Sequence, residues 1–419
     1  MAAAQWIAVV NAAATVDFAI FVDGLAADLA LHSPTFESFV AALPGVLPDE
    51  ALGALRRIGD ENALRLIADA ATDRASAVID QCAMLPLPHP LDSEFRFDEA
   101  SAQILAKSLI ESTGDGDEIL LVGVPSVAIE LAALDAPRVV RFLGPDNCVT
   151  DAVRAAFAGK PLELVQGPGG TAAAALLDPP WYSGPMAELI GVCASGLKPC
   201  SIMTLVVPPV GTRPEVALDR STFIAAARQH GLTPTGNEGP VCYRTPLFEL
   251  AAMERQGIAR LTSWRRGDAV EFVMGDGAPF NLWTRPRATE LSIAGVRLRL
   301  VDGLEGGPSL LPIGEHEVFP SVSARAPGRA RATLWTTTNR AFEVDVATVK
   351  AAIGELTQRP ELLHLGIYSS ENDPSPIQRV DPSTKLIHQL VELIGRELDD
   401  ARRLVGDGAW LKTVMEWRS

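Results

Sequence analysis

Asp178, Pro179, Pro180, Trp181 and Tyr182 form one run whose residue types and order suggest a chemical task. The Asp178 carboxylate and the Pro179 carbonyl are acceptors able to hold an amino group by its N–H bonds. A nitrogen held in this way has its lone pair oriented, and positive charge growing on it is stabilised. Two successive prolines stiffen the loop and withhold competing N–H donors. Trp181 offers a flat face to a planar base or a cation, and Tyr182 continues the aromatic end of the run. A proline-rich strand exit carrying a buried aromatic is the plainer structural alternative. A D-P-P-aromatic tetrad arises by chance in roughly one chain of this length per hundred or more, so its place among the elements decides its value.

That place is the end of a strand. From Asp117 onward short apolar runs alternate with helical ones. EILLVGV (118–124), RVVRFLG (138–144), LELVQ (162–166), AAALLD (173–178) and SIMTLVVP (201–208) read as strands. IELAAL, VTDAVRAAFAG, SGPMAELIGVCASG and RSTFIAAARQHG read as the helices between them. Continuous apolar strands joined by helices predict a parallel sheet covered on both faces. Right-handed crossovers make it a doubly wound, Rossmann-like α/β sheet, with ligands at the carboxyl ends of its strands. The tetrad follows the fourth strand. PVCYRTP (240–246) and DAVEFVMG (268–275), on either side of the helix FELAAMERQG, read as a closing antiparallel pair.

Three segments are expected: a helical N-terminal domain (1–110), the Rossmann-like domain (111–277) and an α+β C-terminal domain (278–419). In the first, LPDEALGALRRIG and ENALRLIADAATDRASAVIDQ carry apolar residues at helical spacing with acids near their starts. The Pro-rich link LPLPHPLDSEFRF precedes the helix DEASAQILAKSLIEST. In the last, RATELSIAGVRLRLVDG, HEVFPSVS and RATLWTTTNRAFEV predict β hairpins, and VATVKAAIGELTQ and PSTKLIHQLVELIGRELDDARRLV predict helices.

The formal net charge of −16 over 419 residues disfavours general attraction to nucleic acid or to an anionic membrane. Residues 1–110 hold 15 acids against 6 bases, whereas 250–340 hold twelve arginines against nine acids. The charge therefore describes how segments differ as much as what the chain binds. Five cysteines without a CxxC pair suit a reducing, cytoplasmic setting and no structural zinc. The apolar N-terminus is broken by Asp17, Asp23 and Asp28 short of a membrane span, so a buried or subunit-contact element is expected.

Other candidates have plain alternatives. Arg213, after the fifth strand, could anchor an anionic substrate group or be a turn arginine. Asp92 and Glu94 could reach over the site as substrate-binding carboxylates or lie solvated in the linker. Trp264-Arg265-Arg266-Gly267-Asp268 reads first as a charged turn, and Arg325, Arg329 and Arg331 as a hairpin tip that could meet phosphate. The six histidines have no metal-ligand spacing, and His316 between two glutamates predicts an exposed strand.

The strand order with DPPW after the fourth strand resembles the class I S-adenosylmethionine-dependent methyltransferase fold. There, DPPW or DPPY marks enzymes that modify exocyclic amino groups. The chain is also similar to the branched-chain polyamine synthases, aminopropyltransferases with a helical N-terminal region and a DPPY-type motif. The likeness covers roughly residues 85–275, through PLDSEFRFDEASAQIL, DPPWY, VCYRTPLFELAAMERQGI and WRRGDAVEF. It implies S-adenosylmethionine or its decarboxylated form as donor, no metal, and a small-molecule amine or base as acceptor. Gly123, Pro125 and Ser126 would then line the donor, and Asp178 through Tyr182 would hold the acceptor. The sequence departs from the family's pattern at the donor. Its first-strand loop has a single glycine, Gly144 stands where an acid ends the second strand, and VQGPGG lacks the acid expected after the third. Asp146, two residues late, is the available substitute. Methyl transfer onto an amino nitrogen is the expected function. Aminopropyl transfer to a polyamine and a non-catalytic scaffold or ligand sensor are the alternatives, and self-association is left open.

Overall fold

The structure is a computed structural model. It describes residues 18–72, 84–92, 95–134, 136–144, 147–165, 169, 171–262, 264–275, 289–301, 309–313, 316–321, 326, 328–358 and 382–405. The chain divides into two compact units that interleave along the sequence. The first comprises residues 1–75, 95–245 and 257–285; the second comprises 76–94, 246–256 and 286–419.

The first unit begins with helices α1 (Phe18–His32), α2 (Phe36–Ala42), α3 (Pro48–Ile58) and α4 (Glu61–Ala70). Local signals set their limits. Asp49 and Glu50 lie at the start of α3 and Arg56 and Arg57 at its end, matching the helix dipole. Gly59, at φ 66°, ends α3 in the left-handed conformation that glycine adopts without steric cost. Asp60 caps α4 by accepting from the Ala63 N–H at 2.8 Å. These helices are tied to the sheet of the same unit. Pro44 O accepts from Gly211 N at 2.7 Å, and the Glu37 carboxylate accepts from both N and Oγ1 of Thr262.

Helix α5 (Glu99–Glu111) leads into the sheet, whose parallel strands are β1 (Glu118–Val122), β2 (Val139–Leu143), β3 (Leu162–Leu164), β4 (Ala172–Leu177) and β5 (Leu197–Val207). Helices α6 (Pro125–Leu134), α7 (Cys148–Ala156), α8 (Ser183–Ser195) and α9 (Val216–Gln229) join or follow them. Strands β6 (Leu232–Cys242) and β7 (Arg266–Met274) complete the sheet. The order is β3-β2-β1-β4-β5-β7-β6, with β7 antiparallel to both β5 and β6. Every residue of β4 is buried, as its uninterrupted apolar run requires of a central parallel strand. Strand β6 is the opposite case. It is a polar edge strand whose register shifts between Pro234 and Glu238, a placement that suits proline and blunts the edge.

The second unit contains α10 (Leu247–Arg255) and an antiparallel sheet of β8 (Thr289–Ile293), β9 (Val296–Leu300), β10 (Leu311–Pro312), β11 (Leu334–Thr336) and β12 (Ala341–Glu343). Its order is β10-β12-β11-β9-β8. Helices α11 (Val346–Gln358) and α12 (Pro382–Val405) share one apolar core with that sheet, through Val349, Ile353, Leu390 and Ile394. The unit also buries charge in pairs. Arg297, wholly buried, donates to Asp92 and Glu290. Arg340 meets the fully buried Glu397 at 2.5 Å.

The expected hairpins 287–303 and 331–344 appear, over their described residues, as β8–β9 and β11–β12. HEVFPSVS does not form a regular strand. Its described part has a single bridge, Val318 to Arg340, next to Pro320, which has no N–H to continue a ladder. Cys82, His364 and Arg325 lie outside the described residues.

Candidate functional site

Strand order reverses between β1 and β4. Successive strands run one way across the sheet from β1 to β3 and the other way from β4 onward. Open α/β sheets bind ligands at the carboxyl ends of the strands beside such a reversal, which here are the ends of β1 and β4. Gly123 leaves β1 and Asp178 leaves β4. Asp178 N donates to Val122 O at 3.2 Å, and Gly123 N donates to Leu143 O at 3.3 Å. Gly123 has φ 71°, and a Cβ there would lie 2.9 Å from the Asp178 carbonyl oxygen. Only glycine satisfies both demands.

Asp178 keeps part of its surface accessible at this exit, yet the protein around it pushes its carboxyl up to about 8. Desolvation is the main cause. The Tyr243 hydroxyl, the Arg265 charge and the Trp181 indole oppose it. Tyr243 donates to Asp178 Oδ1 at 3.0 Å. Pro179 is buried, and the turn closes with Tyr182 N donating to Pro180 O at 2.8 Å before α8 begins.

An aromatic cluster stands beside the motif. Trp181 meets Tyr243 edge-on at 5.9 Å, and Phe97 stacks on Tyr243 at 4.9 Å. The Arg265 guanidinium sits 3.6 Å from the Phe95 ring centroid, 5.6 Å from that of Trp181 and 5.3 Å from that of Trp264. A cation thus already lies beside the flat face that the sequence assigns to a base or a cation. Arg265 comes from the run read first as a charged turn. Tyr243, Phe95 and Phe97 were not singled out from the sequence as site residues. For Tyr243 the signal is position, since PVCYRTP ends a strand at the same sheet edge as DPPWY, and Phe97, in the linker before α5, bridges to it.

Arg213 faces inward to the motif. Its Nε and Nη2 donate to Asp219 Oδ2, and Nη2 also donates to the Trp181 carbonyl at 2.5 Å. Ser183 Oγ donates to the other Asp219 oxygen at 2.8 Å. The guanidinium therefore braces the loop through a buried carboxylate. Asp92 is held within the second unit by Arg297, at 2.7 Å, and by Arg299. Arg329 donates to Pro90 O and lies 4.2 Å from the Trp335 ring centroid, while Arg331 pairs with Glu343. Glu94 and Asp146 lie outside the described residues.

On the donor side, Pro125 and Ser126 open α6 and are both buried. The Ser126 Oγ has no hydrogen-bond partner among the described residues. At Gly144 a Cβ would stand 2.3 Å from the Phe142 ring, so no acid fits there unless that ring moves. His316 is exposed, and no cluster of three metal-ligating side chains occurs among the described residues. No described helix is long and apolar enough to cross a membrane.

A seven-stranded sheet of this order, with strand 7 reversed, defines a methyltransferase-like α/β fold. No family model matches the chain, and no curated protein matches it. Among solved structures it is similar to the branched-chain polyamine synthase of Thermus thermophilus in complex with N4-aminopropylspermidine and 5'-methylthioadenosine. The identity is 13%, the TM-score 0.48, and the match covers 64% of this chain and 90% of that one. It is similar to a precorrin-6y C5,15-methyltransferase of Geobacter metallireducens at 12% identity and TM-score 0.30, over 44% and 96% of the two chains. A methyltransferase of Pyrococcus furiosus aligns at 13% identity and TM-score 0.27, over 41% and 83%. At such values the fold rests on this chain's own strand order.

Proposed function

We propose that this protein transfers a carbon group from an S-adenosyl-type sulfonium to an amino nitrogen held by Asp178 and the Pro179 carbonyl. The observation that carries this reading is the backbone contact between Gly123 and Asp178 at the switch point. It brings the loop suited to a donor against the loop suited to an acceptor. The donor would supply an activated carbon on sulfur. Gly123 would admit it closely, and the buried Ser126 hydroxyl at the start of α6 would meet its polar end. An acid contact to the ribose at residue 144 does not fit, because the Phe142 ring fills that space.

For the acceptor, Asp178 would accept one N–H bond and orient the lone pair toward the donor. In its ionised form, which gains population as pH approaches 8, that carboxyl can also take up the proton that nitrogen releases on alkylation. Trp181 and the Arg265–Phe95 pair would form the wall against which the acceptor packs. The expected acceptor is a small amine or base. Methyl transfer is the main reading and aminopropyl transfer to a polyamine its variant.

Titration calorimetry of the full chain with S-adenosylmethionine and with its decarboxylated form tests this. Binding of either, with loss of turnover in Asp178→Ala, is the expected result. Absence of heat for both at millimolar concentration sinks it. The crowded space at Gly144 favours a second reading, a non-catalytic scaffold or sensor on the same fold. That reading requires Asp178→Ala to leave cellular function intact.

A further inference from the structure

The role of Tyr243 goes beyond packing. Its ring is buried between Phe97, stacked at 4.9 Å, and the edge of Trp181. Its N–H donates to Arg265 O at 3.0 Å, which ties the residue after β6 to the residue before β7. The ring then lies against Gly267. A Cβ at 267 would stand 3.0 Å from the Tyr243 oxygen, 3.2 Å from Cε2 and 2.6 Å from Val206 Cγ1. Glycine at 267 is thus what lets the phenol reach across the strand ends to Asp178. Burial and the nearby Asp178 charge keep the phenol protonated well above the usual range, so it remains a donor.

We infer that Tyr243 is a positioning residue for Asp178, seated by Gly267, and that its hydroxyl fixes the plane of the carboxyl presented to the acceptor nitrogen. A carboxylate offers roughly four lone-pair sites. The phenol uses one of them and leaves acceptor capacity for a substrate N–H. The same bond favours the ionised carboxyl over the neutral one, against the pull of burial. Tyr243 therefore sets both the direction and the proton affinity of Asp178. The positioning role rests on the transfer reading given above, whereas the coupling of the two groups does not.

The test follows the carboxyl itself. Full-length chain labelled with 13C at the aspartate side-chain carbon is titrated by NMR, and the Asp178 resonance is identified by its loss in Asp178→Asn. Its midpoint is expected near 8 in the parent chain. In Tyr243→Phe, which keeps the ring and removes only the donor, the midpoint is expected about one pH unit higher. A purely structural tyrosine would leave it unmoved, and an unmoved midpoint in folded Tyr243→Phe overturns the inference. If that variant fails to fold, Gly267→Ala decides by the same criterion, since it retains the hydroxyl and displaces the ring. The titration needs no turnover, so failure to bind either S-adenosyl compound would remove the transfer reading and leave this result standing.

Discussion

Gly123 and Asp178 meet backbone to backbone at the point where the sheet reverses its strand order, with room for no Cβ between them. Gly123→Ala forces a side chain into 2.9 Å of a carbonyl oxygen and into a positive φ of 71°. The expected outcome is a loss of about 1–3 kcal/mol in urea unfolding, from left-handed strain and backbone displacement together. Binding of S-adenosylmethionine measured by calorimetry should weaken alongside. A variant as stable as the parent would show that the two loops are not held together.

Asp178 should tilt the pH dependence of stability. In the folded chain its carboxyl is pushed up to about 8, whereas an unfolded aspartate titrates near 3.9. Between those values the folded chain holds a proton that the unfolded chain has released. Its contribution is therefore full below about pH 4, declines as pH rises through the window, and levels off above 8. Asp178→Asn removes the decline. Relative to the parent, that variant should gain about 4 kcal/mol between pH 5 and pH 9 in urea titrations, the worth of roughly three pH units of linkage. Parallel pH profiles for the two chains would refute the raised carboxyl.

The β8–β9 hairpin of the second unit turns through Ala294 and Gly295, at φ 48° and 83°. Two residues at positive φ make the turn type that matches strand twist, and its preferred pair is Asn-Gly. Alanine is the strained member. Ala294→Asn should raise stability by about 0.5–1 kcal/mol, read as an upward shift in thermal midpoint. A lowered midpoint would contradict the turn geometry.

Much of this architecture is legible in residue order, because strand and helix periods are local properties. EILLV and AAAALL have uninterrupted apolar runs, and both are central strands. Strand β6 was legible only at its end. LTPTGNEG reads as loop by its proline, two glycines and polar residues, yet pairing with β7 makes it an edge strand. The site divides the same way. Asp178 and Gly123 announce themselves by motif and by strand position. Tyr243 lies 65 residues from its hydrogen-bond partner, and Gly267 matters because Val206 and a ring from another segment crowd it. Arg213 carried the right address and an ambiguous task, since no spacing rule shows that Asp219 and a carbonyl occupy its guanidinium.

Arg213 supplies the last test, because bracing the loop and anchoring a substrate predict different losses. Its fork holds Asp219, which is 6% exposed, and the Trp181 carbonyl at once. Arg213→Ala strands a buried carboxylate whose remaining partner is the Ser183 hydroxyl, and removal of one member of such a pair costs about 3–5 kcal/mol. Arg213→Lys keeps the charge and loses the planar fork, so it should recover only part of that stability. Urea unfolding of both variants checks the order parent, lysine, alanine. A residue that only anchored substrate would leave unfolding unchanged and weaken ligand binding alone. Unchanged unfolding in Arg213→Ala would thus return Arg213 to the substrate side of the site.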